Sequence, residues 1–472
     1  YGAAGCVEGV RRSVRRHLLR SVALHAAAFA ILRFGVAFAS DNTPHPRQFE
    51  IFLETGAART GRSGVLMERS DGFVAHDGLS ARIGFDSAAG LTDRIHVAAR
   101  ARMESSRRGE RLIVRRAMVA LDLHDWRLAL GRTTQRFGRG RRARLLLDDN
   151  APGYDGVWIR TRREVRLPGF LEGVGSFRVK LLNATLPHSD ELPSDPRYRS
   201  EGDPVLRPHI LAMRLEWAPR SWLETGLTRT ILYGGQGRTR YDTFGEWWRL
   251  LTAENENRTS PQDEASDNDQ FASVDVSIRM SWLESRTPFD RIVYYVEYAG
   301  TDLHATWQGD DTPGFSPIVL ADLAVLQGGE IALGRSILGI EYAHVHRDWY
   351  RHDNYPQGYT NGGVGLGHPI GADSGGWYAY ASHQWDPRWT AMIAHTRDRL
   401  QRSRERTSSV SSWSARVDYR PATNDARIYA VAHWARAGGP ILEDVGWVED
   451  SIVVGVGLSV PLVASGQPAP AV

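Results

Sequence analysis

An alternation of apolar and polar residues with a period of two constrains the fold of this chain more than any other feature. Between residues 272 and 282, every even-numbered position is apolar and every odd-numbered position is small, polar or charged. Six alternations without an error argue against a helix and predict a strand with one apolar and one polar face. The same period returns in residues 211–217, 414–420 and 452–460.

The strands of a soluble β-sandwich show the same alternation as those of a transmembrane β-barrel. The residues that accompany the alternation decide between these two classes of protein. Charged side chains such as Asp275 and Arg279 lie within the predicted strands. Aromatic residues often mark the strand ends: Trp217, Trp222, Trp282, Tyr294, Tyr298, Trp385 and Trp389. A polar lumen and interfacial aromatic girdles produce this pattern in outer-membrane barrels. The sequence therefore predicts an all-β fold, a closed antiparallel transmembrane β-barrel.

The hydropathy of the chain excludes a membrane protein that crosses the bilayer with α-helices. The mean hydropathy is −0.37, and beyond the N-terminal region no uninterrupted apolar run approaches the ~20 residues that a spanning helix needs. A barrel stays possible, because its strands carry lipid-facing apolar residues only at every second position and so average out as polar.

Short connections alternate with long ones along the chain. Residues 217–222, 385–389 and 419–424 combine tryptophan or tyrosine with proline and are typical of tight turns. Residues 238–270 and 350–376 are long, polar and rich in aromatics. We expect the short turns in the periplasm, and the long loops outside or plugging the lumen. Strands of ten residues would then number about 16 to 18.

The N-terminal region has the pattern of a secretory signal. Five arginines between residues 11 and 20 precede an apolar stretch that ends in Ala37-Phe38-Ala39, a small-x-small cleavage pattern. We predict a signal peptide at residues 1–39, one barrel domain at residues 40–463 and a disordered tail at residues 464–472. The predicted location is the bacterial outer membrane, in contact with its lipid.

Removal of this segment changes the charge and the cysteine count. The formal net charge falls from +3 to −2 when the six arginines and one glutamate of residues 1–39 are lost. The high pI is therefore no argument for nucleic-acid binding, and we expect no nucleic-acid partner. Cys6 is the single cysteine of the chain, so the remaining protein can have neither a disulfide nor thiolate chemistry.

An ordered set of motifs resembles the capsule assembly protein Wzi family over residues 80–460. The motifs are FGRG at 137–140 with LLLDDNAP at 145–152, LETGLTRT at 223–230 with YGGQGR at 233–238, YVEYAGTD at 295–302, and YPQGY at 355–359 with LGHPIG at 366–371 and DSGG at 373–376. This resemblance implies an outer-membrane barrel that binds and anchors exported capsular or related polysaccharide at the cell surface. It also implies a possible partner in the polysaccharide export machinery, and no catalysis.

Two kinds of side chain are candidates for saccharide binding. Aromatic faces suit the apolar side of a sugar ring, and two long loops supply Tyr241, Trp247, Trp248, Trp349, Tyr350, Tyr355 and Tyr359. Guanidinium groups pair with carboxylates in a bidentate fork, which would suit an acidic polysaccharide, and one segment supplies Arg136, Arg139, Arg141, Arg142 and Arg144. The alternative is that these arginines line the lumen and pair with inward Asp and Glu, while the aromatics plug its mouth.

Signals for other chemistry are weak. Ser374 lies in a DSGG tetrapeptide, but no matching histidine segment precedes it, and a catalytic triad is recognised by its partners. His344, His346 and His352 lie near a strand end without a clear carboxylate partner, and the acidic residues of 263–269 match no calcium-loop spacing. We predict no enzyme activity, no metal and no cofactor. The alternative functions are a porin or substrate channel, with an open conducting lumen, and a barrel lipid hydrolase.

Overall fold

Eighteen long strands make up most of the chain that the computed structural model describes, which comprises residues 47–59, 65–66, 74–75, 78–106, 109–188, 192–193, 195, 197–238, 240–252, 268–304, 319–403, 406–421, 426–439 and 450–461. The first nine are β1 (Arg47–Arg59), β2 (Gly78–Gly90), β3 (Ile95–Ser106), β4 (Gly109–Leu123), β5 (Trp126–Thr133), β6 (Tyr154–Thr161), β7 (Ser176–Thr185), β8 (His209–Arg220) and β9 (Leu223–Tyr233). The others are β10 (Asp269–Arg279), β11 (Arg291–His304), β12 (Val319–Leu333), β13 (Ser336–Val345), β14 (Ser374–Gln384), β15 (Trp389–Ser403), β16 (Arg406–Tyr419), β17 (Arg427–Gly438) and β18 (Asp450–Pro461).

These strands form one closed antiparallel barrel. Each strand pairs with its neighbours in sequence, and β1 pairs with both β2 and β18, which closes the ring. In the β1–β18 seam, Leu53 lies opposite Leu458 and Ala57 lies opposite Val454. The short strand Val165–Arg166 continues β6 along β7. The predicted fold class is confirmed, and the count of eighteen lies within the predicted range.

In the described residues, three short helical segments accompany the strands. They are a 3-10 helix at Gly169–Val174, the helix α1 at Phe244–Thr252 and the one-turn helix α2 at Ser281–Glu284. None of the helices in the described part of the chain is long and apolar enough to cross a membrane. The strand predicted to reach Trp282 ends at Arg279 instead, because α2 begins there and the Leu283 amide bonds back to the Met280 carbonyl at 2.9 Å.

The alternation of the sequence separates the two faces of the barrel wall. On β10, Ser273 and Asp275 point into the barrel and are buried, while Val274 between them points outward and is exposed. On β18, the outward residues are Ile452, Val454, Val456 and Leu458. The wall thus presents apolar side chains to lipid and polar side chains to the lumen, as in outer-membrane barrels.

The two ends of the barrel differ in the length of their connections. At one end, the turn end, two residues connect β4 to β5, β8 to β9 and β12 to β13. Exposed tryptophans cluster at this end: Trp126, Trp217, Trp222, Trp282, Trp385 and Trp389. The connections at the opposite end, the loop end, include residues 134–153, 186–208, 234–268 and 346–373. In outer-membrane barrels, short turns face the periplasm and long loops face outward.

The main hydrophobic core lies inside the barrel. Buried side chains from residues 134–153, 186–208 and 346–373 pack against inward residues of the wall, such as Phe271 of β10 and Tyr154 of β6. A lumen filled in this way is plugged, as predicted for the long loops. The predicted signal peptide and tail, residues 1–39 and 464–472, lie outside the described residues, so the proposed domain limits stay predictions.

Candidate functional site

Residues 134–153, which we call the plug loop, connect β5 to β6 and lie in the lumen. They contain the five predicted arginines. The loop folds back on itself, because the Phe137 amide donates to the Leu147 carbonyl at 2.9 Å. Both side chains are buried in the plug core. At Gly138 the backbone has a φ of +129° and approaches the wall so closely that an added Cβ would lie 2.4 Å from a carboxylate oxygen of Glu297. The loop backbone therefore lies against the wall of the barrel.

Two of these arginines bind carboxylates on distant strands. Arg139 donates to Asp275 on β10 at 2.8 Å and to Glu224 on β9 at 2.5 Å. Arg142 forms a bidentate pair with Asp398 on β15, at 2.7 and 2.6 Å. Because β15 lies nine strands from β6 in the ring of eighteen, the loop reaches the opposite wall of the barrel.

The other three arginines also have carboxylate partners. Arg141 lies 3.1 Å from Glu330 on β12. Arg136 donates to Asp148 within the plug loop at 3.1 Å, and a nitrogen of Arg144 lies 4.0 Å from the same carboxylate. All five predicted arginines thus have an Asp or Glu partner. The partners of Arg139, Arg141 and Arg142 are inward wall residues, as in the alternative above, whereas Arg136 and Arg144 pair within the plug loop.

Wall carboxylates also accept hydrogen bonds from the backbone of the plug loop. Glu341 on β13 accepts from the amides of Arg141 and Arg142, at 2.5 and 3.2 Å. Glu297 on β11 accepts from the amide of Arg139 at 3.3 Å. Amides and guanidinium groups of this one loop therefore bind acidic side chains on six strands, which fixes the loop in the lumen.

The four predicted aromatics of residues 346–373 lie inside the plug. Trp349, Tyr350, Tyr355 and Tyr359 are all fully buried. Phe271 of the wall contacts two of them, with ring centroids 5.0 Å from Trp349 and 4.7 Å from Tyr359. Their ring faces are covered by other side chains, and no face is free to stack on a sugar in this conformation. These residues form the core that fills the barrel mouth.

Hydrogen bonds join this second loop to the plug loop. The hydroxyl of Tyr350 donates to the Leu145 carbonyl and accepts from the His368 amide at 2.8 Å. The Asp148 amide donates to the Leu366 carbonyl at 2.7 Å. The plug loop and residues 346–373 are far apart in sequence but pack together as one unit.

Residues 186–208 complete the plug through an ion pair. Arg197 binds Asp195 and donates to the Ile370 carbonyl at 2.6 Å. Burial disfavours a charged Asp195, but the adjacent Arg197 outweighs it and lowers the pKa of the carboxyl below its ordinary value. Tyr198 stacks on Tyr350 with ring centroids 5.8 Å apart. Three loops therefore share one core.

The remaining predicted aromatics lie at or next to helix α1, on the loop between β9 and β10. A reciprocal cap begins this helix: the Glu246 carboxylate accepts from the Thr243 amide at 2.9 Å, and the Thr243 hydroxyl accepts from the Glu246 amide at 3.3 Å. Leu250 is fully buried beside Tyr233, and Trp247 packs against the same tyrosine. The cap and this anchor fix the orientation of the helix.

The opposite side of α1 leaves aromatic rings exposed at the loop end. Trp248 is 55% exposed and Phe244 is 82% exposed, and their rings stack with centroids 6.3 Å apart. Trp247 and Tyr241, which contact each other beneath, are partly buried. Among the twelve predicted site residues, Trp248 thus has the most accessible ring. The sequence analysis did not name Phe244. It precedes Trp248 by four residues, a spacing that places both side chains on one face of a helix.

Apart from Asp275, the sequence analysis did not name the acidic side chains of the wall. Glu224, Asp275, Glu297, Glu330, Glu341 and Asp398 all point into the lumen and contact the plug loop. In the sequence, such a residue is recognisable as an Asp or Glu at an inward position in the middle of an alternating strand. Asp275 showed this pattern in the sequence, but its partner could not be read from it.

Of the residues considered for other chemistry, Ser374 bonds to the backbone, and His346 has the carboxylate neighbours that the sequence did not reveal. The Ser374 hydroxyl donates to the Ala372 carbonyl at 2.9 Å, not to a histidine. Among the described residues, His346 lies 2.8 Å from Asp322 and 3.8 Å from Asp348, in a partly exposed group at the loop end. His344 and His352 do not join this group. The acidic run at 263–267 lies outside the described residues.

Comparisons with known proteins agree with this architecture. The family model described as "Capsule assembly protein Wzi" matches residues 52–430. The solved structure of Escherichia coli Wzi, whose description is an outer-membrane protein involved in group 1 capsule assembly and a carbohydrate-binding β-barrel, superposes with a TM-score of 0.63 at 14% identity, covering 88% of this chain and 85% of that one.

Two further structures share the barrel fold. Pseudomonas aeruginosa OccK5 (OpdH) gives a TM-score of 0.53 at 9% identity over 89% of this chain and 98% of that one. Pseudomonas aeruginosa OpdQ gives 0.51 at 11% identity over 89% and 100%. No curated protein matches the sequence. Since the family model covers most of the chain and the fold agrees, the chain belongs to the capsule assembly protein Wzi family.

Proposed function

We propose that this protein binds exported capsular or related polysaccharide at the loop end of an outer-membrane barrel and anchors it at the cell surface, without catalysis. One observation carries the proposal: the lumen is filled by a packed core, while a capped helix beside it exposes two stacked aromatic rings. A filled lumen suits a binding protein better than an open channel. The description of Escherichia coli Wzi as a carbohydrate-binding barrel gives independent support.

Helix α1 is the part of this surface best suited to a sugar. An aromatic face stacks on the apolar side of a pyranose ring, and Trp248 and Phe244 offer such faces. Arg249, which follows Trp248 and is exposed, could pair with a carboxylate of an acidic chain. Tyr241 and Trp247 support the helix from below.

Our proposal assigns the other nine predicted residues to the plug. Each of the five arginines already has a carboxylate partner, and the four aromatics of 346–373 are covered. Their contribution to saccharide binding is then indirect, through the rigidity of the surface that they support. Contact with the polysaccharide export machinery remains a further part of this proposal.

Binding to the host's own surface polysaccharide tests the proposal. We expect saturable binding by the detergent-folded barrel, and a loss of at least tenfold in affinity for the double variant Trp248→Ala/Phe244→Ala. The matched control is Trp282→Ala, because Trp282 is 53% exposed but lies at the turn end. Single-channel conductance of the same preparation should be low. Steady ohmic conductance without binding would favour a porin and contradict the proposal.

A further inference from the structure

A cavity lies at the turn end of the lumen, on the opposite side of the plug from α1. It has a volume of about 460 Å³ and lies against β11 to β15. The polar side chains that line it are Arg291, Arg335, Ser382, His383, Gln384 and Thr390. Its volume falls within the range of about 300–1,000 Å³ that is usual for small-molecule sites.

Among the described residues, the lining of this cavity includes two arginines and no carboxylate. Arg291 binds the buried carboxylate of Glu330, which also accepts from the Tyr380 hydroxyl and from Arg141 of the plug loop. Two guanidinium groups thus share the Glu330 carboxylate, while Glu284, which also interacts with Arg291, forms its ion pair with Arg279. Arg291 stays 41% exposed, so part of its guanidinium fork is available to a ligand.

Arg335 adds a second positive charge. Its guanidinium donates to the Trp385 carbonyl at 2.7 Å, a neutral partner. Asp290, on the neighbouring connection between β10 and β11, accepts from the Gly334 amide at 2.5 Å. Within the described ranges, no carboxylate forms an ion pair with Arg335. Its charge can therefore serve a ligand anion.

Uncharged polar groups complete the lining. Ser382 and Thr390 present hydroxyls and Gln384 presents an amide. These groups suit sugar hydroxyls, while a guanidinium fork suits a carboxylate. A carboxylate and several hydroxyls on one small molecule are the signature of an acidic sugar.

We infer that this cavity is a second binding site, which takes the carboxylate of an acidic saccharide against Arg291 and Arg335. The choice of a saccharide rests on the proposed function, whereas the preference for an anion rests on the two arginines. Glu330 positions Arg291 and at the same time holds Arg141 of the plug. A ligand here therefore lies one side chain away from the loop that closes the lumen.

Calorimetric titration of the full-length, detergent-folded barrel with a glucuronic-acid-containing hyaluronan tetrasaccharide tests this inference. We expect the double variant Arg291→Gln/Arg335→Gln to bind at least tenfold more weakly, and Arg291→Lys/Arg335→Lys to lose less. The control is Arg163→Gln, an exposed turn-end arginine outside the cavity. Heat-dependent gel migration reports whether each variant is folded.

Separate probes distinguish this site from the one on α1. Trp248→Ala should leave tetrasaccharide binding unchanged even if it abolishes binding of the long polysaccharide, and neutral maltotetraose should not compete. Unchanged affinity in folded Arg291→Gln/Arg335→Gln would overturn the inference. So would inorganic phosphate that displaces the tetrasaccharide at equal concentration, because the cavity would then be an unselective anion site.

Discussion

Arg142 reaches farther across the lumen than the other arginines of the plug loop. Its bidentate pair with Asp398 is buried on both sides, and the two residues are 256 positions apart in sequence. Arg142→Ala would leave the Asp398 carboxylate without this partner, and removing one partner of a buried pair costs about 3–5 kcal/mol. We expect the free energy of unfolding in urea to fall by that amount.

The same variant should loosen the plug. Single-channel conductance should rise in Arg142→Ala, because the loop loses its anchor on the far wall. Arg163→Ala serves as the control, since Arg163 forms an exposed ion pair with Asp125 that contributes little. A stability and a conductance equal to those of the wild type would show that the pair does not hold the loop.

His368 makes the plug sensitive to acid. Its ring is fully buried, and its Nδ1 accepts from the Ile370 amide at 3.2 Å. Burial, and next the charge of Arg142, hold the pKa of the imidazole well below its ordinary value. The packed loop therefore keeps His368 neutral, whereas a released loop would bind a proton below about pH 6.5. Stability of the packed loop is present above that pH and is lost as the pH falls.

Conductance as a function of pH measures this effect. We expect the wild type to conduct more at pH 5 than at pH 7.5, and His368→Gln to show a weaker dependence because it cannot titrate. His352→Gln, in the same loop, is the control. If His368→Gln kept the full pH dependence, another group would be responsible.

At the scale of elements, the buried side chain of Leu250 anchors helix α1 on the barrel wall. Leu250 is fully buried beside Ile231 and Tyr233, whereas Leu251 next to it is 39% exposed. Leu250→Ala removes the anchor, and substitutions of this kind cost about 2–5 kcal/mol. We expect faster limited proteolysis in the loop between β9 and β10 and weaker polysaccharide binding.

Leu251→Ala is a matched control for this prediction. It shortens a neighbouring leucine of the same helix without opening a cavity, so protease sensitivity should stay near that of the wild type. Equal sensitivity of the two variants would mean that Leu250 does not hold the helix.

The strands could be predicted from the sequence because their signal is local. The outward Val274 and inward Asp275 differ in environment through the two-residue period alone. The partners of the plug loop could not be predicted in this way. Arg139 lies 136 positions from Asp275, and nothing in either local sequence identifies the other. The sequence therefore suggested aromatic and arginine clusters but could not separate the covered rings of 346–373 from the exposed ring of Trp248.

At the scale of the whole molecule, the β1–β18 seam is the contact that closes the barrel. Leu53 and Leu458 are direct partners there and both point outward. Directly opposite residues of an antiparallel pair lie about 4.5–5.5 Å apart at Cα, within reach of a disulfide. Leu53→Cys/Leu458→Cys, made with Cys6→Ala, should crosslink on mild oxidation, as detected by altered mobility of the denatured chain.

A displaced pair controls for the register. Val454 also points outward but pairs with Ala57, four residues along the strand from Leu53. Leu53→Cys/Val454→Cys should remain reduced, because the separation exceeds the limit of about 7 Å between Cα atoms. Crosslinking of the displaced pair, but not of the direct pair, would contradict the register.

The apolar core inside the lumen also links two steps of assembly, the filling of the lumen and the closure of the ring. Its contacts join segments 205 residues apart, such as Leu145 and Tyr350, and the seam joins Glu50 and Ser459, 409 residues apart. Contacts of such long range form slowly. While the seam is open, the three loops can enter the interior sideways, but a finished ring admits them only through its ends. Early closure of the ring thus removes the lateral route, and we expect it to slow the filling of the lumen.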